Sequence, residues 1–152
     1  RLAAESTLTI ESLITIGAPW CNADIAASQN LLQELDLQGW KQMMPEAYAS
    51  FERYHEAQDP AEFLDKVKTM WSDESSAGYP NDRVRLINCP TLIIRGDADD
   101  LFPRQSAAKL ADSIRHSKLL NLPFAGHAVF DEQRDIIISV LKQFSSQIRL
   151  KK

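Results

Sequence analysis

Three short apolar runs limit what this chain can fold into. Residues 10–17 (Ile-Glu-Ser-Leu-Ile-Thr-Ile-Gly), 91–95 (Thr-Leu-Ile-Ile-Arg) and 117–122 (Ser-Lys-Leu-Leu-Asn-Leu) are too short for ordinary helices and are bounded by Gly, Pro or polar residues. Each is followed by a stretch with helical spacing. The order strand, helical block, strand, helix, strand, helix predicts an α/β fold in which three parallel strands are flanked by helices and joined by right-handed crossovers. Residues 10–17 are expected to be buried on both faces, as parallel strands usually are. Three strands make a thin sheet with two edges, so the rest of the sheet is expected upstream of Arg1 or on another chain. Residues 1–6 (Arg-Leu-Ala-Ala-Glu-Ser) read as the last turns of a helix, in keeping with a start inside a larger domain.

The helical block runs from about residue 22 to 72 and is expected to hold three short helices. Residues 26–37 carry Leu31, Leu32 and Leu35 at helical spacing, with Gly39 as the break. Pro45 suits a first helical position, and Tyr48, Phe51 and Tyr54 or His55 follow at three- and four-residue steps. Asp59-Pro60-Ala61-Glu62 is a helix start, with Asp59 as N-cap and Glu62 reaching back. Phe63, Leu64, Val67, Met70 and Trp71 form its apolar stripe. Residues 72–82 are a loop by composition. Beyond it, 104–116 should bury Ala107, Leu110, Ala111 and Ile114. The stretch 131–145 should bury Ile136, Ile137, Val140, Leu141 and Phe144, and 149–152 form a basic tail. The block is rich in large apolar side chains, which either pack on one another or line an apolar pocket. For the second role the candidates are Trp20, Trp40, Met44, Phe51, Trp71 and Phe102.

Composition excludes some classes of function. Net charge is −4 with no Lys/Arg-rich run, which argues against nucleic acid and anionic membranes as partners. No apolar run approaches the roughly 20 residues of a membrane helix. Cys21 and Cys89 are too few for a disulfide framework and read as two thiols in a reducing compartment, the cytoplasm. Two cysteines and three scattered histidines leave no zinc constellation, and no cofactor is expected. An EF-hand loop from Asp97 would need Gly and Glu where Phe102 and Ala108 stand. A phosphotransfer strand end would need a hydroxyl where Leu101 stands.

Chemistry concentrates in residues 90–130. In a parallel sheet all strand C-ends share one edge, where sites form. Asp97, Asp99 and Asp100 follow the strand at 91–95, and His127 follows the strand at 117–122. Neighbouring strands lie about 4.8 Å apart, so one of these acids can reach the imidazole, fix its tautomer and stabilise its protonated form. His55 and His116 each end a helix-like segment, where a cation is favourable, and are not site candidates.

These residues bring a family into view. Pro-Thr-Leu-Ile-Ile-Arg-Gly-Asp-Ala-Asp-Asp-Leu-Phe-Pro (90–103) resembles the acid-bearing strand and turn of α/β-hydrolases, whose pattern is P-T-L-x-x-x-G-x-x-D-x-x-x-P. Phe124-Ala125-Gly126-His127, followed by a terminal amphipathic helix, resembles their histidine loop. Leu-Ile-Thr-Ile-Gly-Ala-Pro-Trp (13–20) resembles the strand that leads into their cap. The resemblance spans nearly the whole chain but only the C-terminal part of that fold. It implies Asp99 as triad acid, three after Gly96 and four before Pro103, and His127 as triad base. Asp97 and Asp100 are the competing acids. It also implies an organisation: 1–20 as helix end and core strand, 21–80 as a helical cap, 81–148 as the C-terminal α/β core, and 149–152 as tail.

One part of the family pattern is missing. Its serine sits in a G-x-S-x-G elbow, and the glycines here (Gly17, Gly39, Gly78, Gly96 and Gly126) are nowhere spaced to form one. Cys21 follows a strand but has no elbow glycines and reads as a packed thiol. The resemblance therefore implies a serine-type hydrolase of small apolar esters, thioesters or lactones that is inactive as this chain alone. The partner would be the missing N-terminal half of the domain, or a second copy. The competing expectation is a non-catalytic module that binds through its open sheet edge or its apolar cap.

Overall fold

A computed structural model describes residues 2–5, 9–26 and 29–149. Residues 1 and 6 of the expected helix end, 27–28 of the expected helix at 26–37, and 150–152 of the expected tail lie outside them. The described residues form two compact units, 1–24 with 79–152, and 25–78.

The first unit is built on a parallel sheet in the order β1 (Leu13–Ile16), β2 (Thr91–Gly96), β3 (Ser117–Leu122). Leu13 lies opposite Thr91 and Ile16 opposite Ile94; Thr91 lies opposite Ser117 and Gly96 opposite Leu122. The ladder continues past the strand ends through Gly17 N–H to the Ile94 carbonyl (2.9 Å) and Asp97 N–H to the Leu122 carbonyl (2.7 Å). All three C-ends therefore lie along one edge, as expected of parallel strands.

β2 is the central strand and is buried throughout. Its period-2 alternation divides it between two cores. Ile93 packs with Val84, Ile87, Phe102, Ala107, Leu110 and Ile114, on the side of the 3₁₀ turn (Asn81–Leu86) and helix α7 (Arg104–Ser113). Leu92 and Ile94 pack with Leu122, Val129, Ile137 and Phe144, on the side of α8 (Val129–Glu132) and α9 (Arg134–Arg149). β1 departs from expectation: Ile14 and Ile16 are exposed. β1 is an edge strand, and the α9 layer covers β2 and β3, so only the face carrying Leu13 reaches a core. The last helical stretch is also not continuous. It breaks at Gln133, and Ile136 faces outward while Ile137 and Phe144 are buried. α7 ends at Ser113, so His116 sits in the turn before β3 instead of on a helix end. α1 is the short turn Leu2–Glu5, whose Glu5 pairs with Arg83.

Among the described residues, the stretch from 22 to 71 holds five helical segments where three were expected: α2 (Asn22–Ala26), α3 (Gln29–Glu34), α4 (Leu37–Met43), α5 (Pro45–Tyr54) and α6 (Pro60–Trp71). The break falls at Leu35–Asp36, and Gly39 lies inside α4. The reason is a cap: the Asp36 carboxylate accepts from Gly39 N–H (2.7 Å), which restarts the helix before the glycine. Asp59 caps α6 in the same way, through Glu62 N–H (2.8 Å), with Pro60 at the first position. Glu62 itself pairs with Lys66 one turn on. The core of this second unit is aromatic. Trp40 meets Tyr48 edge-on (centroids 5.1 Å) and Phe51 at 5.4 Å; Phe51 meets Phe63 at 4.6 Å. Such pairs add about 0.5–1.5 kcal/mol each beyond their area, which explains how a unit of short helices holds a fixed centre.

Candidate active site

The acid turn is shaped by the residues that follow β2. Asp99 N–H bonds the Gly96 carbonyl (3.1 Å), which closes the turn. The Asp99 side chain is 0% exposed, and its Oδ1 accepts from Leu101 N–H (2.9 Å) and Phe102 N–H (3.0 Å). A short carboxylate that bonds its own downstream backbone is a stable local solution. A carboxylate buried this deeply needs further partners, because an unpaired buried charge costs several kcal/mol.

The histidine loop supplies that partner. After β3 the chain passes Phe124, at φ 62° and 94% exposed, and then doubles back. The Ala125 carbonyl accepts from Ala98 N–H (2.9 Å), and Gly126 N–H donates to Glu132 Oε2 (2.8 Å). This brings His127 Nδ1 to 3.1 Å and 3.0 Å from the two oxygens of Asp99. A carboxylate can only accept, so the facing Nδ1 carries the N–H, and in the neutral ring Nε2 then holds the lone pair. His127 is 50% exposed, so one side of the ring is held and the other is open. Among the described residues no hydroxyl or thiol bonds Nε2. The pair can orient and stabilise an imidazolium, and Nε2 can accept a proton from a group presented to it.

Two glycines make the approach possible. A Cβ on Gly96 would lie 2.1 Å from the Gly126 carbonyl oxygen and 2.3 Å from that of Ala125, so only glycine lets the histidine loop cross the end of β2. Gly17 has φ +56°, and a Cβ there would meet His127 Cε1 and Nδ1 at 3.2 Å and Asp99 Oδ2 at 3.4 Å. The end of β1 thus forms a wall of the pair.

The other acids are occupied differently. Asp97 bonds Arg104 and accepts from Asn121 Nδ2 (2.7 Å), with Arg95 Nη1 at 3.5 Å. The hydrogen bond from Arg104 is the main reason its carboxyl lies below the usual carboxylate range; the Asn121 bond and the two guanidinium charges add to it. Solvent screens pairs of this kind. Asp100 is exposed. Of the three acids, Asp99 is the one in contact with the imidazole.

Similarity to known proteins bears on the fold. No family model matches the chain. A 60-residue stretch is 37% identical to the AB hydrolase superfamily protein YisY of Bacillus subtilis (strain 168), covering 40% of this chain and 22% of that protein. MenH from S. aureus superposes with a TM-score of 0.64 at 20% identity, over 97% of this chain and 63% of that one. The enol-lactonase from Burkholderia xenovorans LB400 superposes with a TM-score of 0.61 at 17% identity, over 95% of this chain and 60% of that one. The fold is that of the α/β-hydrolases. The chain spans less than two thirds of either solved structure and about a fifth of the curated relative.

The six aromatic and Met candidates divide between the two units: Trp20 and Phe102 lie in the first, Trp40, Met44, Phe51 and Trp71 in the second. Phe102 is fully buried in the core beside α7, and Trp20 packs against that core with its indole N–H on Ser106 Oγ (2.8 Å). Trp40 and Phe51 fill the centre of the helical unit, while Met44 and Trp71 are exposed on it. Cys21 and Cys89 are free thiols, and burial, with the nearby Asp24 charge, pushes the Cys21 thiol up. Among the described residues there is no cluster that could hold a metal, and no helix is long and apolar enough to cross a membrane. Sequence reasoning passed over Arg95, Asn121 and Gly17. The available signal for Arg95 was a charge inside an otherwise apolar strand; for Asn121 it was one amide among leucines.

Proposed function

We propose that this chain is the C-terminal part of a serine-type α/β-hydrolase acting on small carboxylic esters, thioesters or lactones. Asp99 is its orienting acid, His127 its base, and residues 21–80 its cap. The observation that carries the reading is the wholly buried Asp99 carboxylate on Nδ1 of a half-exposed His127 whose Nε2 is open. His127 Nε2 would take the proton of a serine hydroxyl as its oxygen attacks the acyl carbon. It would then give that proton to the departing alkoxide or thiolate as the bond to the leaving group breaks. A water, deprotonated by the same nitrogen, would release the acid and restore the serine. Asp99 would hold the ring and stabilise its cationic form throughout. The serine is supplied from outside this chain, which has no elbow motif.

The test compares the 152-residue chain alone with the chain joined to an N-terminal half that carries a serine elbow, on p-nitrophenyl esters, thioesters and lactones. The chain alone is expected to show no turnover and no labelling by a fluorophosphonate. The longer protein is expected to turn over, and to lose about 10⁴-fold in kcat on Asp99→Asn and a comparable or larger factor on His127→Ala. Labelling of the short chain, or an active His127→Ala variant, overturns the reading.

A second reading rests on the exposed Ile14 and Ile16 of the edge strand β1. A non-catalytic module would use that edge to pair with a second copy. Light scattering separates the two: a dimer that Ile14→Lys dissolves supports the module, and a monomer removes it.

A further inference from the structure

We propose that Arg95 is a positioning residue of the hydrolase site: its buried guanidinium holds the acid turn so that Asp99 meets His127. The inference rests on the assignment of Asp99 and His127 above. Arg95 is 1% exposed, at the end of a strand whose other side chains are apolar or Thr. Its Nε donates to the Phe102 carbonyl (2.9 Å) and its Nη2 to the Asp99 carbonyl (3.0 Å). These two carbonyls bracket the segment whose N–H groups, on Leu101 and Phe102, hold Asp99 Oδ1. The guanidinium therefore fixes the peptide planes that aim the carboxylate.

The third arm reaches the other half of the site. Nη1 donates to Asn121 Oδ1 (2.6 Å), and Asn121 stands on β3, the strand that leads into the histidine loop. Acid turn and histidine strand thus share one rigid reference. Asp97, which also accepts from Asn121, supplies the nearby negative charge. Only a planar fork with several donors makes these contacts at once; lysine has a single ammonium and cannot span the same three acceptors. An apolar side chain would fill the volume and leave the Asp99 and Phe102 carbonyls without these donors.

The test reads the Asp99–His127 bond directly, as the downfield Nδ1 proton of His127 in ¹⁵N-labelled 152-residue chain, with Asp99→Asn as the control that removes it. Arg95→Met is expected to lose or broaden this resonance while far-UV circular dichroism stays native, and Arg95→Lys to restore it in part. In the longer, active protein Arg95→Met should lower kcat by up to about 10²-fold with KM little changed, as expected of misplacement by around 1 Å. If Arg95→Met does not fold, Arg95→Gln decides, because it keeps a polar side chain but cannot reach the Asp99 and Phe102 carbonyls together. A wild-type resonance in the folded variant overturns the proposal. The two readings fail separately. If Asp99→Asn loses the proton but keeps turnover, the hydrolase assignment falls. If Asp99→Asn abolishes turnover while the Arg95 variants keep both resonance and kcat, only the positioning role falls.

Discussion

Replacing Gly96 by alanine puts a methyl group where the histidine loop crosses the acid strand. The new Cβ would sit 2.1 Å from the Gly126 oxygen and 2.3 Å from the Ala125 oxygen. Unbonded heavy atoms prefer roughly 3.5 Å or more, so the loop must retreat by about 1 Å. Both neighbours are backbone, and neither can rotate away. Retreat strains or breaks the bond from Ala98 N–H to the Ala125 carbonyl. Overpacking of this kind costs about 1–3 kcal/mol, and the lost bond adds about 1 kcal/mol. The stiffer unfolded chain returns up to about 1 kcal/mol. The net is a loss of about 1–3 kcal/mol, or about 2–12 °C in the unfolding midpoint for a chain of this size. Because the loop carries His127, the Nδ1 proton resonance should weaken as well. Gly126→Ala is the control: its Cβ would meet only the end of the flexible Glu132 side chain, at 3.3 Å, and should stay within about 0.5 kcal/mol. A Gly96→Ala variant with wild-type midpoint and wild-type resonance would refute the argument that glycine is required for the crossing.

Two further outcomes follow from the same geometry. Gly17→Ala forces a left-handed backbone on a residue with a Cβ, at about 1–2 kcal/mol, and crowds His127. The midpoint should fall by about 2–8 °C and the half-exposed ring should be displaced outward, visible as a changed Nδ1 proton shift. The folded-state pKa of Asp97 is depressed, so its contribution is complete above about pH 4 and disappears as pH falls through the folded value. Asp97→Asn should therefore be less stable than wild type in urea at pH 7, with the gap closing below about pH 4; a gap that is constant with pH would contradict the Arg104 pairing.

Much of the fold was legible in the chain because it rests on local signals. Short β-branched runs alternating with helical spacing specify parallel strands, and Asp59-Pro60 announces a helix start wherever it is placed. Errors arose where a local signal had a competitor. Gly39 looked like a breaker, but Asp36 three residues earlier restarts the helix and overrides it. Ile14 and Ile16 looked like core, but whether a strand face is buried depends on its neighbours, and β1 lies at an edge.

The site divides along the same line. Sequence alone determined which residue types stand at the strand ends: an acid three residues past Gly96 and a histidine after Gly126, with no nucleophile motif between the glycines. Only the tertiary structure shows what each acid meets, because Asp97, Asp99 and Asp100 differ in what the β3 side of the sheet brings to them. Asp97 receives Asn121 and Arg104, Asp99 receives the imidazole, and Asp100 stays in water. The roles of Gly17, Gly96 and Arg95 were likewise out of reach. Each depends on a segment distant in sequence passing within a few ångströms, and distances between strands follow from packing, which no single stretch of the chain encodes.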